Sequence, residues 1–314
     1  MAVTRTNILR DSNARDKYIA GVMRLKREIA NQQQQTSTWD AFVIWHQRTM
    51  MKMTPANQGS RNAAHRGPVF LPWHRFMLIA LERQIQRVLN DPTFALPYWA
   101  FHQDGDLTPA QQLQSPLWKS DCMGGSGSPV TTGPFRFNAA DPNSFRVRVQ
   151  SNSSGNLVLA NRGLRRALGQ DSLSPTLPTT AQARAAVALS RYDEPAWGVS
   201  SALTFRNVCE GWQPNGPGLH NRVHVWIGGD MGPGTSPNDP VFYLNHCNAD
   251  RMWSAWQTRN PGSPYLPADS EPASLLGHRR SDRLESMFSG TPPRIRDMLN
   301  VSSVYSYDTL ADLI

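Results

Sequence analysis

Apolar positions recur at helical spacing in four stretches of the chain, each flanked by stop signals, and the pattern predicts four amphipathic helices. Over 12–30, Tyr18, Val22, Leu25 and Ile29 share a face behind Ser12, a candidate cap. Over 38–51, Phe42, Trp45 and Thr49 lie near His46. Over 73–89, after Pro72, the stripe is Trp73, Met77, Leu81, Ile85 and Val88. Over 239–257, Asp239 is placed as a cap with Pro240 at the first helical position, and Phe242, Ala249, Trp253 and Trp256 form the buried side. A shorter helix is expected over 218–227. The stretches 103–160 and 258–293 are rich in Pro, Gly, Ser and Asp and read as long connections with a few short strands, such as FRVRVQ at 145–150. NQQQQTST at 31–38 reads as a linker. The expected fold class is mainly α: one domain over 1–314, built on a four-helix bundle surrounded by long loops.

Composition narrows the classes. A chain of 314 residues, 39% hydrophobic and 18% charged, buries a sizeable core and is too apolar for disorder. Its longest apolar runs, such as FMLIAL at 76–81, fall far short of a membrane span. The opening MAVTRTNILRDSNARDK has no apolar segment behind its charges, so a cytoplasmic location is expected unless a partner carries the chain out. A net charge of +8 raises nucleic-acid binding, but the basic residues are scattered and their densest groups, RGLRR at 162–166 and HRR at 278–280, are short. A solvated basic surface is the expected reading. Cys122, Cys209 and Cys247 are odd in number and lack CxxC spacing, which excludes a zinc ribbon or disulfide scaffold.

Six of the eight histidines fall into two groups of three, which turns attention to a metal. His220 and His224 stand at i, i+4 on a predicted helix, so both rings leave one face about a turn apart. The pair alone is moderately specific for metal. His246 lies on a separate helix and completes a three-nitrogen set, although a lone histidine on an apolar face is more often a core residue. In the other group His46 lies on the helix over 38–51, His74 opens the helix over 73–89, and His65 falls in a loop-like segment between them. All-imidazole ligation suits copper, zinc, iron or nickel. Three histidines with an open position also describe catalytic zinc. Di-iron bundles take Glu and Glu-x-x-His ligands, which are absent, and without a bridging carboxylate a copper pair is the best remaining choice.

The segments HRGPVFLPWHRFMLIALE (65–82), LPYWAF (96–101), LHNRVHVWIGGDM (219–231) and SPNDPVFYLNHCNADRMWSAWQ (236–257) resemble bacterial tyrosinases of the actinomycete type, which are type-3 copper proteins. The resemblance runs over about 5–267, leaving 268–314 as a C-terminal extension. It implies that His46, His65 and His74 hold one copper and His220, His224 and His246 a second, with dioxygen as co-substrate. It further implies ortho-hydroxylation of monophenols and oxidation of o-diphenols to o-quinones. Glu210 matches a family glutamate that orients a water, and Asn221 an asparagine that helps this water take the phenol proton. Asn245 stands where the family often has a histidine lining the pocket, so its change bears on substrate preference. Thr235 stands near the family's pocket mouth. Asp250, one turn after His246, is placed either to accept from an imidazole N–H or to pair with an arginine.

Other residues receive structural readings. Cys247 lies about 100° around the helix from His246 and reads as packing. Ala63 stands where the fungal thioether link needs a cysteine. His102 and His278 lie outside the motifs. Met50, Met51 and Met53 read as helix-end packing more readily than as a copper path. Two alternatives remain open: an o-aminophenol oxidase forming quinone imines, nitroso compounds or phenoxazinones, and a haemocyanin-like oxygen carrier. The carrier is disfavoured because the chain leaves no room for a domain covering the coppers. An uncovered site also implies a small separate copper-delivery (caddie) partner, as related bacterial enzymes use.

Overall fold

The computed structural model describes residues 2–56, 58–201 and 203–314. In chain order its elements are β1 (Val3–Arg5), α1 (Ser12–Arg27), β2 (Ile29–Asn31), β3 (Thr36–Ser37), α2 (Thr38–Met50), α3 (Phe70–Leu89), α4 (Phe101–Gly105), α5 (Pro109–Gln112), β4 (Val147–Ser151), β5 (Leu157–Arg162), α6 (Thr180–Val187), α7 (Phe205–Glu210), β6 (Trp212–Gln213), β7 (Gly216–Pro217), α8 (Leu219–Ile227), α9 (Val241–Arg259) and β8 (Tyr305–Tyr307). Helices α2, α3, α8 and α9 carry His46, His74, His220, His224 and His246, and α1 packs on the outside against α3 and α2.

The helix ends follow local chemistry. Asp11, one residue before the expected cap, accepts from the Ala14 N–H and opens α1. Ser37 and Asp40 form a capping box at the start of α2. Helix α3 begins at Phe70, ahead of Pro72, because a proline in the first turn removes only an N–H that would have no helical partner. The last long helix begins one residue later than expected, with Pro240 rather than Asp239 at the N-cap, and Asp239 takes the Val241 N–H at 3.0 Å from one residue further out.

The segment read as a linker is a hairpin instead. Ile29 pairs with Ser37 and Asn31 with Thr36, and the glutamines form its turn. The short β4–β5 ribbon contains the expected strand, shifted to Val147–Ser151. The ends of the chain meet: β1 and β8 pair in parallel, Val3 opposite Tyr305 and Arg5 opposite Tyr307.

The core is rich in tryptophan. Trp39, Trp45, Trp73, Trp99, Trp226, Trp253 and Trp256 are all buried, and each fills a volume that aliphatic side chains would need two positions to occupy. Trp45 and Trp73 meet edge to face at 5.2 Å, and both indole N–H groups donate to the Glu285 carbonyl. This contact fixes α2 and α3 relative to each other one residue away from His46 and His74.

Candidate metal centre

Each histidine leaves a defined element. His46 comes from α2, His74 from α3, His220 and His224 from successive turns of α8, and His246 from α9; His65 alone stands on a loop. The ring nitrogens of His46, His65 and His74 lie within 4.8 Å of one another, as do those of His220, His224 and His246. His74 and His246 stack with centroids 4.1 Å apart and planes 19° off parallel, which sets the two triads side by side.

Backbone carbonyls fix the ring orientations. His46 Nδ1 donates to the Gly234 carbonyl at 2.6 Å, His74 Nδ1 to the Phe70 carbonyl at 2.8 Å, and His224 Nδ1 to the Met231 carbonyl at 2.7 Å. His220 Nδ1 shares its proton between the Glu210 carbonyl and Asn221 Oδ1, at 3.3 and 3.1 Å. With Nδ1 protonated, each of these four rings directs an Nε2 lone pair inward. A Cβ at 234 would sit 2.1 Å from Gln47 Oε1, so a side chain there would have to displace the Gln47 amide.

The inward nitrogens have no protein partner that satisfies them. Nε2 of His46 and of His74 is buried and unbonded. Nε2 of His220 lies 2.9 Å from Nε2 of His246 and 3.0 Å from Nε2 of His224. With Nδ1 protonated, His220 and His224 crowd two lone pairs beside the His246 nitrogen, and a cation placed there would satisfy all three rings. Burial lowers all six imidazole pKa values, that of His46 to about 3 and that of His224 to about 4, so the rings are neutral and available as ligands at neutral pH. Six neutral imidazoles without a carboxylate or thiolate form a donor set that fits two copper ions.

His46, His65, His220 and His224 lie at the floor of a cleft of about 290 Å³, walled by Met50, Arg66, Trp212, Pro217, Asn221 and Val225. Larger cavities of about 550 and 770 Å³ contain no triad residue, so the chemistry belongs to the smaller cleft. Beneath it Phe242 packs 4.0 Å from the His246 ring and 5.0 Å from the His46 ring, closing the far side to water.

Glu210 ends α7 fully buried. One carboxylate oxygen accepts the Arg66 N–H at 2.6 Å and the other accepts from Arg206 at 3.2 Å. Burial raises its pKa against the pull of Arg206. Asn221 lines the cleft, whereas Glu210 does not: its carboxylate takes the amide of cleft-lining Arg66 and its backbone carbonyl faces His220 Nδ1.

Of three expected positions, Asn245 and Thr235 need correction, while Asp250 takes the arginine pairing, one of its two expected readings. Asp250 contacts no imidazole: it accepts from Arg75, Arg5, Tyr305 and Tyr307, because one turn beyond His246 α9 faces α3 and the joined chain ends. Asn245 is buried off the cleft with its amide toward the His220 carbonyl at 3.5 Å, since one residue back along the helix is a 100° rotation. Thr235 is buried too; its neighbours Pro233 and Ser236 wall the cleft instead. Cys247 packs against the Leu96 carbonyl, away from the triads, and His102 and His278 are buried in bonds to Asp312 and Thr54. Met50 lines the cleft, Met51 is exposed and Met53 is half-buried. Sequence patterning missed the carbonyls of Phe70, Met231 and Gly234. Only the glycine-rich run at 228–234 hints at such close backbone approach.

Residues 36–259 match the family model "Common central domain of tyrosinase". The chain is 37% identical over 301 residues to a tyrosinase of Streptomyces antibioticus, covering 89% of this chain and 98% of that one. It is 34% identical to grixazone synthase of Streptomyces griseus subsp. griseus, with 88% and 97% covered. In fold it resembles a polyphenol oxidase of Thermothelomyces thermophila, with a TM-score of 0.72 at 20% identity over 98% of this chain and 89% of that one. With two imidazole triads facing each other under one cleft, and with that similarity running through every helix that supplies them, the chain belongs to the tyrosinase family of type-3 copper oxidoreductases.

Proposed function

We propose that the chain uses dioxygen to hydroxylate monophenols at the ortho position and to oxidise o-diphenols to o-quinones. The carrying observation is the pair of neutral, inward-facing imidazole triads beneath a cleft that admits one aromatic ring. Bound copper supplies dioxygen activation and the two-electron redox change. In balance, a monophenol and O2 give one o-quinone and one water, while two o-diphenols and O2 give two o-quinones and two waters.

The protein's part is to hold and to position. His46, His65 and His74 hold one ion, and His220, His224 and His246 the other. Carbonyl bonds at Nδ1 keep four of the rings aimed, so little reorganisation accompanies turnover. Phe242 keeps water from the far side. Removal of the phenol proton falls to Asn221 at the cleft wall and Glu210 behind it, relayed through a water.

A second reading, oxidation of o-aminophenols, is supported by the similarity to grixazone synthase over nearly its whole length. Among the described residues no helix is long and apolar enough to cross a membrane. Because the triads sit beneath an open cleft, we also propose a small protein partner that delivers copper; full, rapid activation of metal-free protein by copper salt alone would overturn it.

The test is a side-by-side comparison of copper-loaded protein on a monophenol, its catechol and its o-aminophenol analogue. The metal content expected is two coppers per chain. Quinone formation from the first two supports the leading reading, turnover of the aminophenol alone supports the second, and no colour from any of them overturns both.

A further inference from the structure

We infer that Arg66 selects substrates bearing a carboxylate on the side of the ring away from the reacting hydroxyl; this rests on the phenol-oxidase reading above. Arg66 follows His65 directly. Its backbone adopts a left-handed conformation, φ 62°, rare for a residue with a Cβ, and its N–H is anchored on Glu210 at 2.6 Å. The anchor orients the main chain and leaves the long side chain at the cleft wall. There the guanidinium carbon stands 5.5 Å from the Trp212 ring, a cation–π contact that holds it over the opening.

Among the described residues the charge has no acidic partner: no carboxylate lies within ion-pair distance of the Arg66 guanidinium, and none lines the cleft. The one acid nearby, Glu210, directs its carboxylate to the Arg66 amide and to Arg206. Arg66 is therefore the single charged side chain among the cleft-lining residues. A ring whose hydroxyl points to the triads extends its opposite substituent toward the mouth, where Arg66 and Trp212 offer a forked donor and an aromatic face. A planar guanidinium pairs with a carboxylate through two parallel N–H bonds, while an ammonium there meets like charge. The preferred class is thus phenols, catechols or o-aminophenols with a short acidic tail and no amine. Because Arg66 is exposed, solvent limits the gain to roughly three- to tenfold in kcat/KM.

The experiment measures kcat/KM for 3,4-dihydroxyphenylacetate against dopamine, which differ at the tail. The copper-loaded wild type is expected to favour the acid. Its preference should fall roughly three- to tenfold in Arg66→Gln, reverse in Arg66→Glu, survive in part in Arg66→Lys, and shrink in the wild type as salt rises. Two coppers per chain in each variant show that the His65 loop is intact. Binding of phenylacetate to the metal-free proteins, followed by calorimetry, gives a readout independent of turnover and should weaken from wild type to Arg66→Glu. An acid-to-amine ratio unchanged by charge reversal, or phenylacetate binding equal in all variants, overturns the inference. If the loaded wild type oxidises neither catechol, the oxidase reading fails, and the phenylacetate series alone decides the role of Arg66.

Discussion

Both carboxylate oxygens of Glu210 are engaged, one on the amide of the His65 loop and one on Arg206, so two roles meet in a single side chain. A glutamine keeps an oxygen for the Arg66 amide but cannot accept a proton. Glu210→Gln is therefore expected to retain two coppers and lose about a hundredfold in monophenol oxidation; metal analysis beside turnover separates the roles, and parallel loss of copper would mean that Glu210 only positions the loop. Asp250 illustrates the opposite kind of buried acid. Burial by itself raises its pKa, but Arg75, Arg5 and the hydroxyls of Tyr305 and Tyr307 outweigh burial, and the net shift is downward. A carboxyl lower in the folded than in the unfolded chain contributes stability that is full above the unfolded value, about 3.9, and is lost as pH falls through the folded one. Asp250→Asn leaves two buried guanidiniums short of charge and should cost about 3–5 kcal/mol in urea unfolding at neutral pH, with the difference from wild type shrinking as the solution is acidified into that range.

At the scale of elements, the close packing of α1 on α3 turns on one small residue. A Cβ at Gly21 would stand 2.5 Å from Ile85 Cγ2, on a β-branched side chain that cannot swing aside. Gly21→Ala gains helix propensity but overpacks this contact, and a net loss of about 1 kcal/mol is expected, read as a lower urea midpoint with copper content unchanged. A raised midpoint would show that the two helices have room to part. The same elements show what patterning makes legible. Long stripes such as Trp73, Met77, Leu81 and Ile85 identify their helices, because burial of one face at period 3.6 is written into residue type. The i, i+4 pair His220 and His224 is legible for the same reason. Short α4, α5, α6 and α7 carry too few turns for a stripe, and the β2–β3 hairpin hides in glutamines whose side chains say nothing of backbone pairing. Asn245 and Thr235 were placed by likeness to relatives. The burial of Asn245 depends on how α9 rotates against α8 and that of Thr235 on the path of the connection before α9, neither of which a single chain's periodicity specifies.

Across the whole molecule, we propose that residues 268–314 belong to the same folding unit as the copper-binding core. Their contacts run to the elements that carry the ligands. The Glu285 carbonyl accepts from Trp45 and Trp73, neighbours of His46 and His74. Tyr305 and Tyr307 donate to Asp250 on α9, and Asp312 pairs with Arg251 on α9 and with His102 on α4. The Met298 carbonyl accepts from Arg75, the residue after His74. Removing the segment would strip buried tryptophan N–H groups and guanidiniums of their partners, each orphan costing about 1–3 kcal/mol or more, a sum comparable with the whole stability of a domain. A chain ending at residue 267 is therefore expected to lose cooperative thermal unfolding and near-ultraviolet dichroism and to retain less than one copper. A truncated chain that melts sharply and keeps two coppers would show that the helices hold the triads without this belt, and that 268–314 is an appendage.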